Sequence, residues 1–422
     1  MKIRLFFIAI FLLFLQIKSN SQDTISLEKC KIAAINNYAG TKNIDLYKSA
    51  ETYQLSKTSA AYLPKLNLNA QATWQSEVTS IDLSGLPFPI NIDPPSKDQY
   101  KAVLEVSQMI YDGGMTKKLK AVQQAETEIN LAGVKVEQSK IEDQINQLYI
   151  NVLYLNKQLE LNESLKTQLE QKLRKAESGV KNGVLLETAV NVIKAEVLKL
   201  EQLQIGLKYK KKTALQSLST LTALKITENT IMQEIRVELI DGVNLRVEEV
   251  VFEYQRNKID QNIGLLSASR FPKLYSFGQF GYGRPGLNFF STEFQPYLYA
   301  GVSLTWNIWD WNQVKNDKAN LQIQKEMIDV KHDLFSQSID MLRTTEINNI
   351  EKYKEAIKKD EEIIALREKI TKVASSQLDN GTITATEYLA EVNAEMQSRL
   401  NLELNKVLFI QAKLNLNFIN GY

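Results

Sequence analysis

Residues 66–75 alternate without a break. Leu66, Leu68, Ala70, Ala72 and Trp74 take the even positions, and Asn67, Asn69, Gln71, Thr73 and Gln75 the odd ones. Strict period-two alternation predicts a strand with one apolar and one polar face. Its length is also what a tilted barrel strand needs to cross a bilayer. Residues 100–111 repeat the pattern, with Ala102, Leu104, Val106 and Ile110 opposite Lys101, Glu105 and Ser107. So do residues 298–308, where Leu298, Ala300, Val302, Leu304, Trp306 and Ile308 oppose Ser303, Thr305 and Asn307. Residues 274–282 carry a weaker signal, because glycine interrupts both faces. A soluble sandwich also uses alternating strands. Against it, Trp74, Tyr100, Tyr111, Tyr297, Trp306 and Trp309 gather at strand ends, as an interfacial girdle would.

Elsewhere the period changes to that of long helices. Residues 114–178 and 312–378 contain no proline and little glycine, so each run reaches roughly 100 Å if continuous. Leu148, Val152, Leu155 and Leu159 step by four and three, as a coiled-coil seam does. Asn162 and Lys166 then interrupt the seam. Each run ends at Asn-Gly, at Asn182-Gly183 and Asn380-Gly381, suited to a helix C-cap and a reversal. A second helix returns through about Thr222 in one case and about Asn417 in the other.

These elements occur twice. The Leu-Pro-Lys-Leu of 63–66 recurs as Phe-Pro-Lys-Leu at 271–274, an offset of 208. Asp112 recurs as Asp310, and Asn182-Gly183 with Thr188 as Asn380-Gly381 with Thr386, both at an offset of 198. The ten-residue difference falls between the proline and the aspartate, where a loop absorbs it. The period is too long for a solenoid and reads as duplication of a half-protein. The expected division is a leader over 1–21, a first repeat over 22–226, a linker over 227–242 and a second repeat over 243–422. Barrel strands are expected at about 65–75, 100–111, 273–283 and 297–309. Pro64 and Pro272 mark where a helix stops and a strand begins. Four strands cannot close a barrel, for which about eight is the practical minimum, so several copies of the chain are needed.

The first residues carry an export signal. Lys2 and Arg4 precede an unbroken apolar run over 5–15, and Ser19-Asn20-Ser21 offers small residues for cleavage after Ser21. The run is too short for a membrane anchor, and Cys30 lies too far on for a lipoprotein signal. Removing Lys2, Arg4 and Lys18 lowers the formal charge from +2 to −1, which gives no support for nucleic-acid binding. One cysteine and one histidine exclude an internal disulfide and zinc sites built from several Cys and His, and leave little room for a Cys–His or Ser–His pair. Cys30 reads as a small buried apolar residue, and His332, between Lys331 and Asp333, as a solvated surface one. Gly281-Tyr282-Gly283-Arg284-Pro285-Gly286 has the spacing of a dinucleotide fingerprint. Pro285 and the Asn288-Phe289-Phe290 that follow do not open a helix, so the match is rejected. No catalytic residue, cofactor or metal is expected, and an exported enzyme is disfavoured.

The duplicated Leu/Phe-Pro-Lys-Leu lead-in, the Ile-Tyr-Asp-Gly-Gly over 110–114 and the Asn-Gly tips resemble the TolC-type outer membrane efflux proteins over about 26–419. The resemblance departs at Trp311, where the family often has glycine. It implies a mainly α fold with a membrane β-barrel portion: three chains build a twelve-stranded barrel in the outer membrane, continued by an α-helical periplasmic tunnel. The linker would be an equatorial segment, and Pro64, Asp112, Pro272 and Asp310 would mark the strand–helix junctions. The tips at Asn182, Gly183, Asn380 and Gly381 would close the inner end and meet a periplasmic adaptor. An inner-membrane efflux pump or ABC exporter would drive the passive duct. Acidic residues after the second tip often form a constriction in this family; Glu387 takes the first such position, while Ala390 takes the second, with Glu391 next to it. Three Glu387 carboxylates would select cations. The other reading of Glu387 is an ordinary solvated helix residue. A non-channel periplasmic or surface coiled-coil interaction protein is the alternative function, and it predicts a product soluble without detergent.

Overall fold

Long proline-free segments and short alternating ones separate cleanly in the computed structural model, which describes residues 24–79, 94–240, 242 and 244–422. The expected leader and the loop prolines Pro87 and Pro89 lie outside the described residues. Helices α1 (Leu27–Asn37), α2 (Asn43–Ser59), α3 (Met115–Lys181), α4 (Glu187–Thr222), α5 (Val247–Ala268), α6 (Gln313–Asp379) and α7 (Ala385–Ile419) account for most of the chain. Strands β1 (Thr24–Ile25) and β4 (Ile231–Met232) form a short parallel pair, and β2 (Lys65–Trp74), β3 (Asp98–Tyr111), β5 (Lys273–Arg284) and β6 (Gln295–Thr305) form one antiparallel sheet.

The chain divides into two units. One comprises 24–41, Val134–Val247 and Phe335–Tyr422. Its first core packs Ile145, Tyr149, Val152 and Leu155 of α3 against Leu207, Ala214 and Leu218 of α4, with Cys30 and Ala34 of α1. The predicted seam holds: Val152 and Leu155 are buried, and Leu148 and Leu159 pack at the margin. Cys30 is fully buried. The Tyr149 hydroxyl lies 2.7 Å from the Ile25 carbonyl and 2.8 Å from that of Gln233, tying the β1–β4 pair to α3. Asn162, where the seam turns polar, is buried and donates from Nδ2 to the Leu200 carbonyl of α4 at 3.1 Å. A buried polar residue of this kind costs stability and fixes register. Lys166 instead reaches Glu201 of α4 at 3.1 Å.

The second unit comprises Lys42–Gly133 and Glu248–Leu334. Thr58 of α2 and Gln123 of α3 share hydrogen bonds of 3.1 and 2.8 Å. Helix α5 is joined to α3 by the Lys258–Glu126 ion pair and to α6 by Arg256–Asp329 at 2.6 Å and Lys325–Asp260 at 2.8 Å. His332 corrects the sequence expectation. Its ring meets Glu249 at 2.6 Å and the edge of Phe252 at 5.5 Å, because α5 packs on the α6 face that a single helix would leave in water.

Strands β6 and β3 also differ from expectation. Strand β6 stops at Thr305, short of 309, because its partner β5 begins at Lys273, opposite Thr305. In β3 a bulge between Met109 and Tyr111 breaks the alternation before Ile110. Among the described residues no helix is long and apolar enough to cross a membrane.

Candidate functional site

The sheet has the order β2-β3-β5-β6, so β2 and β6 have free edges among the described residues. Register places whole rows on one face. Leu66 opposes Val106, Leu68 opposes Leu104 and Ala70 opposes Ala102. Leu104 then opposes Phe280, which opposes Leu298. The result is a continuous apolar face on which Leu68 and Leu298 are each 73% exposed. No second sheet covers it among the described residues, which therefore form no sandwich of their own. The other face carries Asn67, Asn69, Gln71, Lys101 and Ser303, with Gln279 donating to Glu105 at 2.9 Å.

The glycines that weakened the β5 signal have a packing role. On the polar face the Tyr297 ring lies over Gly281, where an added Cβ would meet its Cζ at 2.0 Å. Periodicity counts glycine as a gap in both faces; across the ladder it is the space an aromatic ring fills.

Pro64 immediately precedes β2 and Pro272 precedes β5. Leu63, before the first proline, is extended at ψ 149°, as proline requires of its predecessor. After β3, Asp112 caps α3: its carboxylate accepts the Gly114 and Thr116 amides at 2.9 and 2.6 Å and the Tyr62 hydroxyl at 2.7 Å. Burial opposes ionisation of Asp112, but hydrogen bonds from Thr116, Tyr62 and Gly114 together hold its carboxyl below the usual aspartate value. Asp310 caps α6 through the Asn312 and Val314 amides at 3.1 and 3.2 Å. The two junctions differ in their backbone. Gly113 and Gly114 take φ of 71° and 84°, whereas Trp311 and Asn312 hold left-handed values of 53° and 63°.

Both long helices end in the same way. Gly183 donates to Val180 and Val184 donates to Gly179; Gly381 donates to Leu378 and Thr382 donates to Gln377. This bond pair requires a left-handed residue, and both glycines supply it, at φ 69° and 70°. Asn182 and Asn380 stand one residue earlier, their amides returning to Ser178 and Ser376. The two tips come together over a shared core of Leu169, Ile193, Leu378, Ala385 and Tyr388. Between them lies a cleft of about 420 Å³ lined by Leu185, Leu186, Ala189, Ile383 and Glu387.

Glu387 is the third residue of α7. Its carboxylate accepts the Thr384 amide at 2.8 Å and hydroxyl at 2.9 Å, while the Glu387 amide donates back to Thr384 Oγ1. This capping box, led by the backbone amide, holds the exposed carboxyl below the usual glutamate value. Glu391 is committed elsewhere, to Arg367 at 2.9 Å.

Residues 43–224 match a family described as outer membrane efflux protein. No curated protein matches the chain in sequence. Among solved structures, the outer membrane protein VceC of Vibrio cholerae is 14% identical, with a TM-score of 0.70 and coverage of 94% of this chain and 96% of that chain. CusC is 13% identical, with a TM-score of 0.72 and coverage of 94% and 92%. The CmeC outer membrane channel of Campylobacter jejuni is 13% identical, with a TM-score of 0.70 and coverage of 94% and 85%. The fold is that of the TolC-type outer membrane efflux proteins.

Within this TolC-type fold, sequence reasoning missed the group that joins the tips. Lys172 is 6% exposed and its ammonium donates to the Ser375 carbonyl at 2.7 Å, the Ser375 hydroxyl at 2.8 Å and Asp379 at 2.7 Å. The ammonium also lies 5.1 Å from the centre of the Tyr388 ring. Burial pushes the Tyr388 phenol up, with hydrogen bonds to Ser375 and Gln168 opposing it. A signal existed: Leu165, Leu169, Lys172 and Ala176 step by four, three and four, which puts a lysine in a seam position.

Proposed function

We propose that three copies of this chain form a passive outer membrane efflux duct, made of a twelve-stranded barrel and an α-helical periplasmic tunnel. The observation that carries the reading is the sheet, apolar on one face, polar on the other and, among the described residues, open at both edges. Its strands alternate in direction, so β6 of one copy meets β2 of the next antiparallel. Closure of the ring then satisfies every edge, as a bilayer demands. Along β2 the apolar positions Leu66 to Trp74 cover about 27 Å, or about 21 Å once tilted, close to the usual apolar band of a barrel. Lipid takes the outer face, and water and cargo the inner.

The reading extends to partners. The tips around Gly183 and Gly381 meet a periplasmic adaptor, and an inner-membrane pump or ABC exporter supplies the energy. Glu387 places one carboxylate per copy at the inner entrance and favours cations. Single-channel recording from the reconstituted full-length chain tests the duct: discrete conductance steps and a heat-sensitive trimer on gels support it. A monomer soluble without detergent overturns it. For the entrance, Glu387→Ala also removes a helix cap, whereas Glu387→Gln keeps an acceptor for Thr384 and removes only charge. Unchanged cation selectivity in Glu387→Gln channels refutes the gate.

A further inference from the structure

At the end of the sheet where β6 leads into α6, a cleft of about 310 Å³ is lined by Arg270, Lys315, Lys318, Asp310, Trp309 and Ile308. Asp310 is occupied as the α6 cap. The three cations make no ion pair among the described residues, although ion pairs are frequent on the neighbouring helix surfaces. Ile308, Trp309 and Trp311 stand 71%, 68% and 82% exposed, and the Trp306 indole is fixed by a 3.0 Å bond to the Arg270 carbonyl.

The backbone adds a second observation. At the equivalent junction Gly113 and Gly114 occupy the left-handed positions at no steric cost. Here Trp311 holds φ 53°, a conformation that is unfavourable for any residue with a Cβ. Strain kept where a glycine would relieve it points to a use for the side chain. The indole packs edge-on against Trp309 at 5.8 Å, and Trp309 lines the cleft beside the three cations.

We propose that this cleft binds the headgroup of an anionic phospholipid in the adjoining leaflet, with Arg270, Lys315 and Lys318 on the phosphate and acyl chains along Trp309, Ile308 and the β6 face. The proposal rests on the reading of that face as lipid-facing. Exposed cations beside indoles at the end of an apolar strand match a lipid's charge and its chain together. A soluble anion would use the cations and leave the aromatic wall idle.

The test is tryptophan quenching in phosphatidylethanolamine vesicles containing the full-length protein with Trp74→Phe. Brominated phosphatidylglycerol is compared with an equal amount of brominated phosphatidylethanolamine. The acidic lipid should quench more strongly, and its enrichment should fall about fivefold for each cation replaced by glutamine. Added salt should erase the preference in the unmutated cleft, a check that needs no further variant. Equal quenching by the two lipids, which a cleft covered by a second copy would also give, overturns the proposal. So does a preference that survives Arg270→Gln/Lys315→Gln/Lys318→Gln. A variant retaining Trp74 alone reports on the membrane reading separately: if neither lipid quenches it, that reading has failed.

Discussion

Asp379→Ala leaves the Lys172 ammonium in the interface between the two hairpins without its carboxylate. Breaking a buried pair from one side costs about 3–5 kcal/mol when the remaining charge is fully enclosed. Two features reduce that figure here. Asp379 is itself 41% exposed, and both Ser375 oxygens stay within reach of Lys172. About 2 kcal/mol remains, or about thirtyfold in the opening equilibrium of the tips. Lys172→Met removes the buried charge instead and keeps an apolar stem against Tyr388, while Asp379 returns to water. Its cost should be at most about 1 kcal/mol, and the double variant should recover part of the Asp379→Ala loss. Native-state hydrogen exchange at the Leu378 and Tyr388 amides measures this directly, since both residues are buried between the hairpins. Exchange no faster in Asp379→Ala than in Lys172→Met would refute the claim that an uncompensated ammonium sets the cost.

Trp311→Gly should leave thermal stability in detergent unchanged or raise it by up to about 1 kcal/mol, because it relieves a left-handed Trp; a clear fall in melting temperature would refute the strain. Gly281→Ala should impair folding of the sheet, since its methyl meets the Tyr297 ring, and Gly281→Ala with Tyr297→Ser should restore the folded form on unheated gels. Asp112 has a depressed carboxyl, so it contributes stability above the ordinary aspartate value that is lost as pH falls through its lower folded value. Asp112→Asn should flatten that acid limb in a pH series of melting temperatures. Glu387 follows the same sign: protection of the Ala385 and Thr386 amides should weaken at acid pH in the native protein and lose that dependence in Glu387→Gln.

Strand alternation and proline-free runs made the main elements legible, because both are local. A period of two exposes one face whatever lies beside it, and Gly183 or Gly381 stops a helix by its own backbone. The weaker β5 signal needed the register, since only β6 brings Tyr297 over Gly281. The charged neighbours of His332 in sequence point to water, whereas α5, more than sixty residues away in the chain, supplies Glu249. Glu387 stands out as an entrance candidate only through the family resemblance, whereas its bond to Thr384 follows from a Thr-x-x-Glu spacing that is itself local.

The sequence by itself determined the long helices, the alternating strands, the two helical reversals and that the pattern occurs twice, since these follow from periodicity and from glycine and proline within a few residues. Tertiary structure decided what those segments do to one another. It set the sheet order, buried Lys172 against Asp379, and left Arg270, Lys315 and Lys318 beside Trp309 without an ion pair among the described residues. Each of these depends on residues distant in the chain meeting at a distance of a few ångströms, where desolvation and charge pairing are settled by neighbours that no local pattern specifies.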